Sequence, residues 1–308
     1  MWRVLIALMF VAGCAHAPAS QPTAAAGQAE EARHGMKGAH EPIPLPHRAV
    51  DTDSGDELTD RNLDEKLRAA KVIYVGEEHP NPHHHAAEVE VLERAWAADP
   101  SVGLGMEMLP RTYQGSLEAY VGGTLDEAGF LQAVAWEKTW GFDWGFYKPL
   151  LEFCRAHHLP AYALNAPRDL AHAVAKGGLD ALSADQKSQL PEMKAGPEKH
   201  REFVREAFAQ HPHAKFDEAK FERFYAAQLV WDETMADRVA AALKAPGGPA
   251  RLVVVAGEGH TRSWAIPDRA ARRGAAPYLT VLPVLDDDEA DARRDRVADV
   301  LWVLKSHD

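Results

Sequence analysis

From about residue 58 the chain alternates two kinds of pattern. Short apolar, β-branched runs are separated by longer segments whose apolar positions recur every three or four residues. "KVIYVG" is the first short run, and "SVGLGMEML" and "PAYALNAP" are the second and third. "RLVVVAGEGH", "PYLTVLPV" and "ADVLWVLK" complete the set. Between them lie helical stretches. "LTDRNLDEKLRAA" offers Thr59 or Asp60 as a cap and places Leu63 and Leu67 on one face. In "PNPHHHAAEVEVLERAWAAD", Asn81 is an N-cap, Pro82 suits the first helical position, and His85, Val89, Leu92 and Trp96 fall on a core-facing stripe. Strands separated by helices predict an α/β fold, a mostly parallel β-sheet flanked by helices. Residues 183–245 are too long for a simple crossover and predict a helical cap inserted between the third and fourth strands.

The N-terminus has a different character. "MWR", the short apolar run "VLIALMFV" and the small residues "AGC" form an export signal, too short to span a bilayer as a helix. "VAGC" resembles a bacterial lipobox. This predicts a lipoprotein signal peptide over 1–13, lipidation of Cys14, and attachment to the membrane through the N-terminal lipid. A plain secretory signal cut near "CAHA" is the competing expectation. Ala15, rather than aspartate, after the cysteine resembles outer-membrane sorting in a bacterial cell envelope. Residues 14–47, rich in Ala, Pro, Gly and Gln, predict a disordered tether, and 48–308 the α/β domain.

A formal net charge of −12 argues against nucleic acid as a partner. With Cys14 lipidated, Cys154 stands alone, expected as a small buried residue in a helix.

Ligands of open parallel sheets bind beyond the carboxyl ends of the strands. Three of these ends share a chemistry. The first strand runs into Gly76-Glu77-Glu78-His79, the second ends at Glu107, and the fourth runs into Gly257-Glu258-Gly259-His260. A Gly-x-x-His therefore follows two strands. His79, His260 and Glu107 suit the shell of a divalent metal ion, or general acid–base work. Glu107 could instead cap a helix starting near Pro110. Successive helix residues point about 100° apart, so His83, His84 and His85 cannot converge on one ion. His85 is the candidate of the three for a metal, with a hydrogen-bonded core histidine as the plainer reading, and His83 and His84 are expected in solvent. The aromatic segment 136–153, with Trp136, Trp140, Phe142, Asp143, Trp144, Phe146 and Tyr147, is either a grip for a flat ligand or core beneath the cap. Tyr147 and Tyr225 are candidate phenolate ligands for a haem iron. Asn165 and Arg168 follow the third strand, where Arg168 could hold an anionic group.

"VIYVGEEHPNPHHHAAEVEVLE", "GLGMEMLPRTYQGSLEAYVGG", "WGFDWGFYKPLLEFCRAHHLPAYALNAPRD", "AAQLVWDETMADRVA" and "RLVVVAGEGHTRSWAIPDR" together resemble the ChaN-like haem-binding uptake family of the Tiki, TraB and erythromycin esterase superfamily. The resemblance runs from about residue 58 to 284. It implies an α/β domain with a helical cap, haem held through tyrosine, haems meeting at a homodimer interface, and a role in iron uptake. One departure stands out. The family's second Gly-x-x-His is often followed by a Tyr-Gly segment before "IP", whereas "TRSWAIP" has Trp264 near that point and no tyrosine.

Two functions follow as expectations. One is an envelope lipoprotein binding haem or an iron complex, with His79, His260, Glu107, Trp140, Asp143, Tyr147, Asn165 and Arg168 around the ligand. The other is a metal-dependent hydrolase, with His79, His260, Glu107 and His85 on the metal and Glu78 or Glu107 activating water.

Overall fold

The computed structural model describes residues 41–210 and 217–306. The signal peptide, Cys14 and most of the tether lie outside the described residues. One eight-stranded sheet organises the chain. In chain order its strands are β1 (His47–Asp51), β2 (Glu57–Leu58), β3 (Val72–Glu77), β4 (Val102–Pro110), β5 (Ala161–Asn165), β6 (Arg251–Gly257), β7 (Tyr278–Leu285) and β8 (Val300–Leu304). Their spatial order is β2-β1-β8-β7-β3-β6-β4-β5. All pairings from β8 to β5 are parallel, and β1 runs antiparallel to both β8 and β2.

Helices cover both faces. On one face, α1 (Asp60–Ala69), α2 (Pro82–Ala98) and α6 (Trp144–His157) bring Leu67, Val91, Leu92 and Leu150 onto Ile73 and Val75 of β3. On the other, α10 (Glu218–Lys244) and α12 (Ile266–Arg272) bring Met235, Val239 and Ile266 onto Val72 and Tyr74. Alternate residues of β3 thus enter different cores, as the two-residue strand period requires. Burying each such aliphatic side chain is worth about 1.5–3 kcal/mol. A sheet covered on both sides explains why β3, β4 and β6 are buried at every position.

The remaining helices of the first half are α3 (Gln114–Val121), α4 (Glu127–Ala133) and α5 (Trp136–Thr139), and α7 (Arg168–Gly177) follows β5. The cap divides in two. The first half of α10 packs with α9 (Glu198–Ala209) around Val204, Phe221, Phe224 and Leu229, while α8 (Ala184–Ser188) precedes them. The second half of α10 is a sheet-facing helix rather than cap. α11 (Glu258–Thr261) follows β6 directly, and α13 (Glu289–Arg294) precedes β8.

The end of the expected tether is attached to the domain. Ile43 donates its N–H to the Pro82 carbonyl at 3.0 Å, and its own carbonyl lies 2.7 Å from His83 Nδ1. The His47 ring stacks on Trp302 at 4.1 Å. β1 carries little apolar signal because only Ala49 and Val50 are buried in it.

Candidate functional site

Adjacency of strands builds the site. β3 and β6 pair in parallel, with Gly76 opposite Ala256 and Glu77 opposite Gly257. The two Gly-x-x-His segments therefore leave the sheet side by side. β4 flanks β6 on the other side, so Glu107 joins them. Two glycines are required by close approach. A Cβ on Gly76 would stand 2.6 Å from Thr261 Oγ1 in α11, and one on Gly257 would stand 2.9 Å from His79 Cε1.

Each of the two histidines is paired through Nδ1 with a carboxylate. His79 Nδ1 lies 2.6 Å from Glu77 Oε1, and His260 Nδ1 lies 2.6 Å from Asp232 Oδ1 on α10. Both carboxylates are fully buried, whereas both imidazoles keep about 11% of their side-chain surface exposed. Glu107 lies between the pairs. It accepts the Gly257 N–H at 2.7 Å, and its other oxygen is 3.4 Å from His260 Nε2. Burial alone would push the His260 pKa down, but Glu107 and Asp232 outweigh it and hold it up at about 9. Burial opposes His79 in the same way, and Glu77 reverses it, leaving a raised pKa. Burial raises Asp232, but its bond to His260 brings it below the ordinary carboxylate range.

Behind His79 the network continues. Tyr147 donates its OH to Glu77 Oε1 at 3.2 Å, and His85 Nε2 lies 3.3 Å from Glu77 Oε2 and 3.0 Å from the His79 carbonyl. His85 Nδ1 reaches Glu88 Oε2 at 2.9 Å. Behind His260, Arg269 bonds Glu233 and points Nη2 at His200 Nδ1, 3.2 Å away. That contact fixes His200 as a neutral tautomer with Nε2 toward Asp232 Oδ2, 3.4 Å away. Burial, opposed by Asp232 and assisted by Arg269, pushes His200 down to about 4.

The sequence candidates are distributed unevenly. His79, His260 and Glu107 gather around Gly257, and Trp140 touches His79 edge-on with centroids 4.7 Å apart. Tyr147 is wholly buried and bonded to Glu77, so it belongs to the network rather than to the partly exposed edge where His79 and His260 lie. Tyr225 is buried too, its OH accepting the Gly196 N–H. Asp143 caps α6 by accepting the Gly145 N–H at 2.8 Å. Asn165 accepts the Ala166 N–H, and Arg168 lines a separate cleft of about 200 Å³ with Pro110, Thr112 and Tyr113. Glu78 accepts from Asn81, while its N–H donates to His84 Nδ1 at 3.0 Å. That bond explains why His84 is buried rather than solvated, and burial pushes it down to about 3. The aromatic segment is mainly core: Trp136, Trp140, Phe146 and Tyr147 are buried, and Phe142 meets the His79 ring at 5.0 Å.

Motifs alone pass over Glu77, Glu88, Gln228, Asp232, His200 and Arg269. A signal for Asp232 is nevertheless present. "LVWDETMADR" puts adjacent acids in the middle of an apolar helix, and Gln228 stands one turn earlier on the same face. Gln228 Nε2 lies 3.4 Å from the His260 ring.

Fold and site together define a parallel α/β domain with paired histidine–carboxylate groups over adjoining strand ends. The chain belongs to the family described as "Haem-binding uptake, Tiki superfamily, ChaN", which matches residues 63–270. A solved structure, "Cofacial heme binding to ChaN of Campylobacter jejuni", is similar in fold, with a TM-score of 0.64 and 17% identity over 85% of this chain and 100% of that one. An erythromycin esterase in its open conformation covers 78% of this chain and 77% of its own at 11% identity, with a TM-score of only 0.46. Among curated proteins, the chloroplastic protein RETICULATA-RELATED 5 of Arabidopsis thaliana is 28% identical over 258 residues, 77% of this chain. The chain spans about a third (34%) of that relative's length.

Proposed function

We propose that the protein binds haem on an open face at the carboxyl ends of β3, β4 and β6, with His79 as the residue that holds the iron. One observation carries the reading. His79 has Nδ1 fixed by a buried carboxylate, while Nε2 has no hydrogen-bond partner among the described residues, at a partly exposed mouth beside Trp140 and Phe142. Iron-binding histidines are held in this way, with the far nitrogen donating to a carboxylate that orients the ring and raises its basicity. The tyrosines named from the sequence fit less well, since Tyr147 and Tyr225 are buried and their hydroxyls are engaged.

The residues present suit an open site rather than an enclosing one, since the His79 and His260 rings each keep about 11% of their side-chain surface exposed at the strand ends. A porphyrin would rest one face on the protein. Its other face suits a second copy of the chain, by analogy with the cofacial heme binding of the Campylobacter protein. Bound haem would supply an iron centre for capture and hand-on in iron uptake. Lipidation of Cys14 would place this activity at the bacterial cell envelope. Cys14→Ser should then release the protein from membranes, and continued attachment would contradict the anchor.

Haemin titration tests the main reading. A saturable Soret shift at about one haem per chain is expected, and the absence of saturation would overturn it. The paired histidines also favour a second reading, acid–base hydrolysis, with His79 and His260 exchanging protons on either side of Glu107. Ester or peptide cleavage abolished in both His79→Ala and His260→Ala would support it, and unaffected turnover would remove it.

A further inference from the structure

The Glu77, His85 and Glu88 side chains lie beneath the mouth, and none is exposed at all. One ligand atom from each lies within 4.8 Å of the other two. His85 meets Glu88 through Nδ1 at 2.9 Å and Glu77 through Nε2 at 3.3 Å, so an ion shared by all three takes one ring nitrogen and replaces the contact there.

Acceptors outnumber donors in this group. Glu77 takes bonds from His79 and Tyr147. His85 Nε2 is shared between Glu77 and the His79 carbonyl. Its other nitrogen serves Glu88 Oε2, and Glu88 Oε1 is buried with no donor at all among the described residues. A buried carboxylate oxygen left without a partner destabilises the folded state. We propose that Glu77, His85 and Glu88 form a buried site for one divalent transition-metal cation of the zinc or manganese class. One imidazole and two carboxylates are the donor set such ions take. The cation supplies the positive charge and the missing partner for Glu88 Oε1. With Glu77 fixed, the orientation of His79 is fixed as well. The site shares Glu77 with His79, but it is read by metal content, whereas haem binding is read by the Soret band.

The test uses the full chain, stripped with EDTA, loaded with Zn²⁺ and passed through gel filtration. Wild type should retain about one Zn²⁺ per chain more than Glu88→Gln. X-ray absorption at the zinc edge of wild type should show one nitrogen and at least two oxygens. Equal zinc in wild type, Glu88→Gln and Glu77→Gln would overturn the site, as would no retained zinc or a shell of several histidines. Should Glu88→Gln fail to fold, the wild-type zinc content and absorption spectrum decide alone.

Discussion

The His79 ring occupies the space that any side chain on Gly257 would need, its Cε1 only 2.9 Å from where a Cβ would stand. This contact joins the two Gly-x-x-His segments. Gly257→Ala should push His79 off Glu77, at a cost of about 1–3 kcal/mol for overpacking. The expected outcome is a folded protein, by circular dichroism, whose haemin affinity falls at least about tenfold, since one factor of ten is about 1.4 kcal/mol. Unchanged affinity would show that the ring can shift without consequence.

Tyr147 belongs to the buried network behind His79. Its hydroxyl serves Glu77, and burial together with the Glu77 charge pushes its pKa well above the ordinary phenol value. Tyr147→Phe should cost about 1 kcal/mol of stability for the lost hydrogen bond and leave the Soret shift in place. A lost Soret shift in a folded variant would restore Tyr147 as a candidate iron ligand.

Asp232 holds His260 from a different element, α10. Asp232→Asn should bring the His260 pKa down from about 9, read by NMR titration of the ring protons. Stability should fall by about 1–3 kcal/mol, because a buried charge-assisted bond becomes a neutral one.

Stability should peak near pH 6.5. His260 is raised to about 9, so its contribution is complete below the unfolded value near 6.5 and is lost as pH climbs through 9. His200 is lowered to about 4, so the unfolded chain takes up its proton first and stability falls as pH drops from about 6.5 toward 4. Urea midpoints at pH 4.5, 6.5 and 9 check both limbs. His85, held at about 9 by Glu77 and Glu88, shares the alkaline limb, so Asp232→Asn should reduce that limb in part, and an identical alkaline limb in wild type and variant would contradict the assignment to His260.

Much of the sheet is legible in the sequence because β3, β4 and β6 are buried on both faces and so read as unbroken apolar runs. β1 and β2 are not, since β1 buries only Ala49 and Val50 and owes its place to pairing with β8. His79, Glu107 and His260 are visible as polar residues directly after apolar strands. What holds the histidines is not. Glu77 reads as one more acid in a turn, and Asp232 lies 28 residues from His260 on a helix whose apolar positions suggest only packing. His84 shows the same limit, because its burial depends on a single backbone N–H from Glu78 that no periodicity reports.

Resonance Raman spectroscopy of the ferric haem complex tests the central claim most directly. Histidine ligation that disappears in His79→Ala and persists in Tyr147→Phe and Tyr225→Phe is the predicted result. A tyrosine phenolate signature in wild type, or an unchanged spectrum in His79→Ala, would contradict it.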